Sequence, residues 1–132
     1  MNISIDLHGV IDCDPKGFEE YAQELSDDGH NVFILTGASY TDALAELAEL
    51  KFNLKYIKKI ISLTDYLLEK DLPFTYDKYN RPYFHDDIWW GAKACIAREQ
   101  NINLHIDDCI QYQTTFTTPF LLYEGSLEID KE

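Results

Sequence analysis

The chain has 132 residues, 45% of them hydrophobic and 14% aromatic, and a formal net charge of −13. That length suits one domain, residues 1–132, with a core that needs neither disulfides nor a structural metal. The acidity argues against adhesion to nucleic-acid backbones or anionic membranes, whose phosphates would be repelled.

The first element is expected at residues 2–7, where Ile3, Ile5 and Leu7 alternate with polar residues as in a strand. Residues 16–28 carry Phe18, Tyr21, Ala22 and Leu25 at helical spacing, with Gly29 as the stop. "NVFILTG" is a short apolar run ending in glycine, which suits a buried parallel strand. "SYTDALAELAELK" is amphipathic, with Ser39 or Thr41 as its cap. "YIKKIIS" reads as a strand and "LTDYLLEKD" as a helix. "LPFTYDKYNRPYFHDD" is aromatic and turn-rich, an irregular segment or a small hairpin. "IWWGAKACIAREQN" is helical with Trp89, Ala92 and Ile96 inward, "INLHIDD" is a strand, and "TPFLLYEG" is the last strand, with Pro119 tolerable at its start. This alternation implies an α/β fold with a parallel sheet.

In open α/β sheets the ligand site lies at the carboxyl ends of the strands. Those ends carry Asp6, then Thr36 and Gly37, then Asp107 and Asp108. Clustered carboxylates repel one another, and a hard divalent cation removes the penalty. A Mg²⁺ site built from Asp6 with Asp107 or Asp108 is therefore expected, and it would draw a phosphate into acidic surroundings. Thr36 and the amides of Gly37 and Ala38, at a helix opening, suit phosphate oxygens. Lys93, near the start of the helix that leads into "HIDD", would neutralise developing charge.

The ordered set "SIDLHGVI", "FILTGAS", "GAKACIA" and "LHIDDC", spanning residues 3–109, resembles the haloacid dehalogenase (HAD)-like superfamily, in particular its small capless phosphatase and nucleotidase-type members. The resemblance implies a Rossmann-like three-layer sandwich around a mostly parallel five-stranded sheet. It implies a Mg²⁺-dependent phosphohydrolase acting on a phosphate monoester through an aspartyl-phosphate on Asp6. By position, the backbone carbonyl of His8 would join the Asp6 side chain on Mg²⁺. Thr36 would bind the phosphoryl group, Lys93 would hold Asp6 and touch that group, and Asp107 with Asp108 would complete the metal site. The family's phosphatases usually carry a second aspartate where this chain has His8; an imidazole with an ordinary pKa of about 6.5 can also move protons.

Only one helix separates Asp6 from Thr36, and only "PFTYDKYNRPYFHDD" is left over before Lys93, so no large cap domain is expected. An open site suits a phosphorylated small molecule, a macromolecule, or an oligomer whose partner covers it. The alternative is a degenerate member that binds phosphate or a protein without turnover. A phospho-acceptor signalling domain is disfavoured because its acidic pair comes early, not late. "HDD" at 85–87 reads as a helix cap, and Tyr76, Tyr79 and Tyr83 as rim or partner-surface candidates. Cys13, Cys95 and Cys109 have no disulfide or zinc-site spacing. No stretch has membrane-spanning length and the opening run is a strand, so a cytoplasmic location is expected.

Overall fold

The computed structural model of the chain describes residues 1–125; the rest of the span expected as one domain lies outside the described residues. Its centre is a five-stranded sheet. β1 (Asn2–Ile5) is flanked by β2 (Asn31–Thr36) on one side and β6 (Leu104–Asp107) on the other. β3 (Lys59–Ser62) and β7 (Phe120–Leu122) form the edges, giving the order β3-β2-β1-β6-β7. Every pairing is parallel. All five strands therefore point their carboxyl ends to the same edge. The expectation of a mostly parallel sheet understated the regularity.

Strand alternation sorts the side chains between two faces. Ile3, Ile5, Val32, Ile34 and Ile106 pack on one face against α1 (Pro15–Asp27), through Phe18 and Ala22, and α2 (Tyr40–Glu49), through Ala43 and Leu47. On the other face Leu35 packs against α3 (Leu63–Glu69), through Leu63 and Leu67, and α4 (Asp86–Glu99), through Ala92 and Ile96. The result is a three-layer, Rossmann-like arrangement.

The helix ends follow local chemistry. Pro15 opens α1, and Asp14 caps it by accepting from the Gly17 amide at 3.1 Å. Ser39 caps α2 through the Asp42 amide, and Ser62 caps α3 through the Asp65 amide. His85 caps α4 by accepting from the Asp87 amide, which is the capping role expected of "HDD". Gly29, at φ +87°, ends the turn after α1, where a side chain would be strained.

The aromatic leftover segment is a small antiparallel hairpin, β4 (Thr75–Tyr76) with β5 (Pro82–Tyr83). Asp77 organises its turn: one carboxylate oxygen accepts from the amides of Tyr79 and Arg81, and the other from Arg81 Nε. A short helix, α5 (Ile110–Gln113), follows β6 and was not anticipated. No helix among the described residues is long and apolar enough to cross a membrane.

Candidate functional site

Parity along two adjacent strands builds the site. Ser4 and Asp6 point to the α4 side of β1 because Ile3 and Ile5 point the other way. On β6, Ile106 faces the α1 layer, so His105 and Asp107 face α4. Ser4 and His105 are register partners, which sets Asp6 and Asp107 beside each other where the strands end.

Lys93 comes down onto this pair from α4. Trp89, Lys93, Ile96 and Ala97 recur at helical spacing, so the face that packs on the sheet carries the lysine with it. It stands in the middle of α4, not near the start as expected, and it is 1% exposed. Its Nζ lies 2.7 Å from Asp107 Oδ2 and 3.3 Å from Asp6 Oδ1. The same ammonium sits 4.1 Å from the ring centroid of Tyr112, on α5. An exposed helical lysine, the ordinary alternative, is thereby excluded.

Asp107 is fully buried and held by three donors. Lys93 Nζ and His105 Nε2 (2.8 Å) both donate to Oδ2, and the Cys109 amide donates to Oδ1 at 3.1 Å. Behind it, His105 Nδ1 accepts from Ser4 Oγ at 2.7 Å. Burial holds the imidazole below its ordinary range, and because a carboxylate oxygen only accepts, Nε2 is the donor in its contact with Asp107. Burial works against the charge of Asp107, yet the His105 and Lys93 contacts hold its carboxyl well below the usual range.

One ammonium between two acids leaves a charge deficit, and Asp6 carries it. Burial pushes its carboxyl up to about 7 even though Lys93 pulls it down, and the negative Asp107 adds to the rise. Burial, then Asp107, also raises Asp108. Burial alone would depress Lys93, but the two carboxylates hold its ammonium above the usual range. The sign for folding follows directly. Asp6 contributes stability that is complete below the ordinary carboxyl pKa and lost as pH rises through about 7.

Asp6, Asp107 and Asp108 each bring an oxygen within 4.8 Å of the others. Three carboxylates against one buried lysine leave surplus negative charge, and the donor set is all hard oxygen. Both properties fit a small divalent cation such as Mg²⁺. Among the described residues, Oδ1 of Asp107 accepts one hydrogen bond and keeps acceptor capacity, whereas Oδ2 accepts two. Gly9, at φ +79° in the turn after β1, makes room for Asp108: a Cβ there would fall 1.9 Å from its Oδ2.

Asp6, Asp108 and Lys93 line the floor of a cavity of about 820 Å³, and Asp107 lies buried behind them. The cavity walls include His8, Gly37, Ala38, Arg81, Tyr83, Trp89 and Trp90. Tyr83 thus stands at the site, while Tyr76 and Tyr79 are exposed side chains outside this lining. Gly37 and Ala38 occupy the turn ahead of Ser39, before α2 begins, and not the helix opening that was expected. Two hydroxyls tie that turn: Thr64 Oγ1 donates to the Gly37 carbonyl and Ser62 Oγ to the Ala38 carbonyl, both at 2.7 Å. Thr36 is fully buried, and its Oγ1 accepts from the Ala38 amide at 3.3 Å. Its hydroxyl shapes the turn and does not line the cavity.

His8 is half exposed at the cavity edge, its Nε2 hydrogen-bonded to Glu46 on α2. Sequence reasoning missed Glu46, which lies 38 residues away in a solvated helix pattern. It also missed Ser4 and His105, although two-residue periodicity with Asp6 and Asp107 marks both. Cys13 is exposed and all three cysteines are free. No family model, no curated protein and no solved structure matches the chain.

Proposed function

We propose that the chain is a Mg²⁺-dependent phosphohydrolase of the HAD-like type that acts on phosphate monoesters. One observation carries this reading: Asp6, Lys93 and the Asp107–Asp108 pair, from three distant segments, meet at the carboxyl edge of a parallel sheet under an open cavity. The strand order, with β1 central and the acidic pair at the end of its neighbour β6, also supports it.

The chemistry divides among the chain's own groups. The Asp6 carboxylate attacks phosphorus in line, the P–O bond to the alcohol breaks, and an aspartyl-phosphate forms. Water then attacks that phosphorus, its proton passing to the His8 ring that gave one up in the first step, which releases inorganic phosphate and restores Asp6. Asp6, Asp107, Asp108 and the His8 carbonyl would hold Mg²⁺, which supplies Lewis-acid charge to the phosphoryl oxygens. Lys93 holds Asp6 in position and offsets charge as it develops. Gly37 and Ala38 border the phosphoryl position, and Thr36 fixes their turn. His8 gives the leaving oxygen its proton, from the edge of the cavity where Glu46 holds its ring. The hairpin and Trp89 and Trp90 wall the space for the rest of a phosphorylated substrate, small or macromolecular. The cytoplasm, with its Mg²⁺ and reduced thiols, is the proposed location.

The test is phosphate release across a panel of monoesters with Mg²⁺ and with a chelator. Release that depends on Mg²⁺ supports the reading; none in either condition contradicts it. His8→Asp restores the commoner acid and is expected to speed alkyl phosphates about tenfold or more, with little change for p-nitrophenyl phosphate, whose leaving group needs no proton. Equal effects on both would remove His8 from proton transfer. Gly9→Ala is expected to cost about 1–2 kcal/mol from the left-handed backbone. It should also abolish Mg²⁺-dependent thermal stabilisation, because the new methyl displaces Asp108; thermal unfolding with and without Mg²⁺ measures both.

A second reading is phosphate or protein binding without turnover. The engagement of the His8 ring by Glu46 favours it, since that bond must yield before the proton reaches a substrate. Phosphate-dependent stabilisation with no hydrolysis of any monoester would select it.

A further inference from the structure

Behind the acidic cluster lies a buried polar chain that ends on Asp107 and whose other two members, Ser4 and His105, the proposed chemistry does not use. Ser4 Oγ, the His105 ring and Asp107 Oδ2 are joined at 2.7 and 2.8 Å, and all three residues are 0% exposed. The order resembles a hydrolytic triad, but its geometry forbids that role. The serine meets Nδ1, the carboxylate meets Nε2, and no part reaches the cavity. The ring is fixed by more than hydrogen bonds. It stacks on Phe116 at 5.1 Å and meets the edge of Phe120 at 5.5 Å.

We infer that His105, oriented by Ser4, is a positioning residue that fixes the Asp107 carboxylate for cation binding. Ser4 Oγ–H donates to Nδ1, which commits the ring to a proton on Nε2. That proton and Lys93 Nζ fill both acceptor positions of Oδ2. Only Oδ1, with its single bond to the Cys109 amide, keeps a lone pair for a cation. Without the ring nitrogen, one of the three bonds that orient the carboxylate is gone and Oδ2 regains an acceptor position, so the order imposed before binding is weakened. Outer partners that orient a ligating carboxylate typically change metal affinity 10–100-fold, about the range expected here. The inference rests on reading Asp6, Asp107 and Asp108 as a cation site, and the experiment separates the two.

Mg²⁺ affinity of the intact chain is measured by calorimetry, with circular dichroism and thermal unfolding to check the fold. His105→Phe keeps a ring between Phe116 and Phe120 but removes both nitrogens. His105→Gln keeps an amide N–H near the Nε2 position. Ser4→Ala removes only the hydroxyl. His105→Phe is expected to bind Mg²⁺ about 10–100-fold more weakly than the parent. His105→Gln should recover most of that loss, and Ser4→Ala should fall between. A folded His105→Phe that binds like the parent would overturn the inference, and so would a Gln variant as weak as the Phe one. If His105→Phe does not fold, Ser4→Ala decides: undiminished affinity overturns the assignment and a clear loss supports it. A parent chain that takes up no Mg²⁺ would overturn the cation site itself, and this assignment with it.

Discussion

Asp6→Asn is expected to leave the fold intact and to lower Mg²⁺-dependent phosphate release by at least about 10⁴-fold, the scale seen when a nucleophile is removed. The amide has the shape of the carboxylate and its carbonyl can still accept from Lys93, 3.3 Å away in the parent. It cannot form the covalent phosphoryl intermediate. The variant also removes a buried charge that its surroundings oppose, so thermal stability at pH 8 without metal should hold or rise. Release of phosphate from p-nitrophenyl phosphate, read against thermal unfolding of both proteins, checks the two halves together. Activity within tenfold of the parent would end the covalent mechanism. A crystal of the parent grown with Mg²⁺ and fluoroberyllate should carry beryllium on an Asp6 oxygen.

The second large effect is expected at Lys93. Lys93→Met fills the space with a chain of similar length but leaves Asp6 and Asp107 side by side with no cation. Breaking a buried ion pair from one side typically costs about 3–5 kcal/mol. Chemical denaturation should therefore show a midpoint far below the parent's, with activity lost even where the variant is folded. The penalty should shrink when Mg²⁺ is present, because a dication supplies part of the missing charge. It should shrink more in Lys93→Met/Asp107→Asn, where the uncompensated charge itself is gone. A single variant as stable as the parent would mean that the lysine is incidental to the fold. Its burial, its two carboxylate partners and its place over the Tyr112 ring all argue otherwise.

Most of the architecture was legible because each element declares its period. Ile3 and Ile5, or Leu47 and Ala43, fix which face is covered, and strand–helix alternation then fixes a parallel sheet. The sheet brings Asp6, Gly37 and Asp108 to one cavity, as their places at strand ends suggest, and Ala38 and the α4 residue Lys93 join them there. Thr36 also ends β2, with its buried hydroxyl accepting from the Ala38 amide and outside the cavity lining. The depth of Lys93 was encoded in its spacing from Trp89 and Ala97, yet a charged residue is assigned to solvent by default. His105 was hidden for a related reason. In "LHIDD" the paired acids draw attention, while the histidine shows its role only once Ser4 is known to lie opposite. The bond between His8 and Glu46 was beyond reach, because the two residues lie 38 apart and no local pattern links them. The short helix α5 is too brief to show a period at all.

The uniform strand direction has a practical consequence. Met1 and the chain's first amide sit at the far edge of the sheet, where the terminal ammonium meets His30 Nδ1 at 2.8 Å and Asn2 bonds the Asn103 side chain. The chemically equipped end is one strand length away. A fluorophore or surface tether fixed at Met1 therefore leaves the opposite mouth clear, so an immobilised chain should admit bulky phosphorylated molecules as readily as a free one.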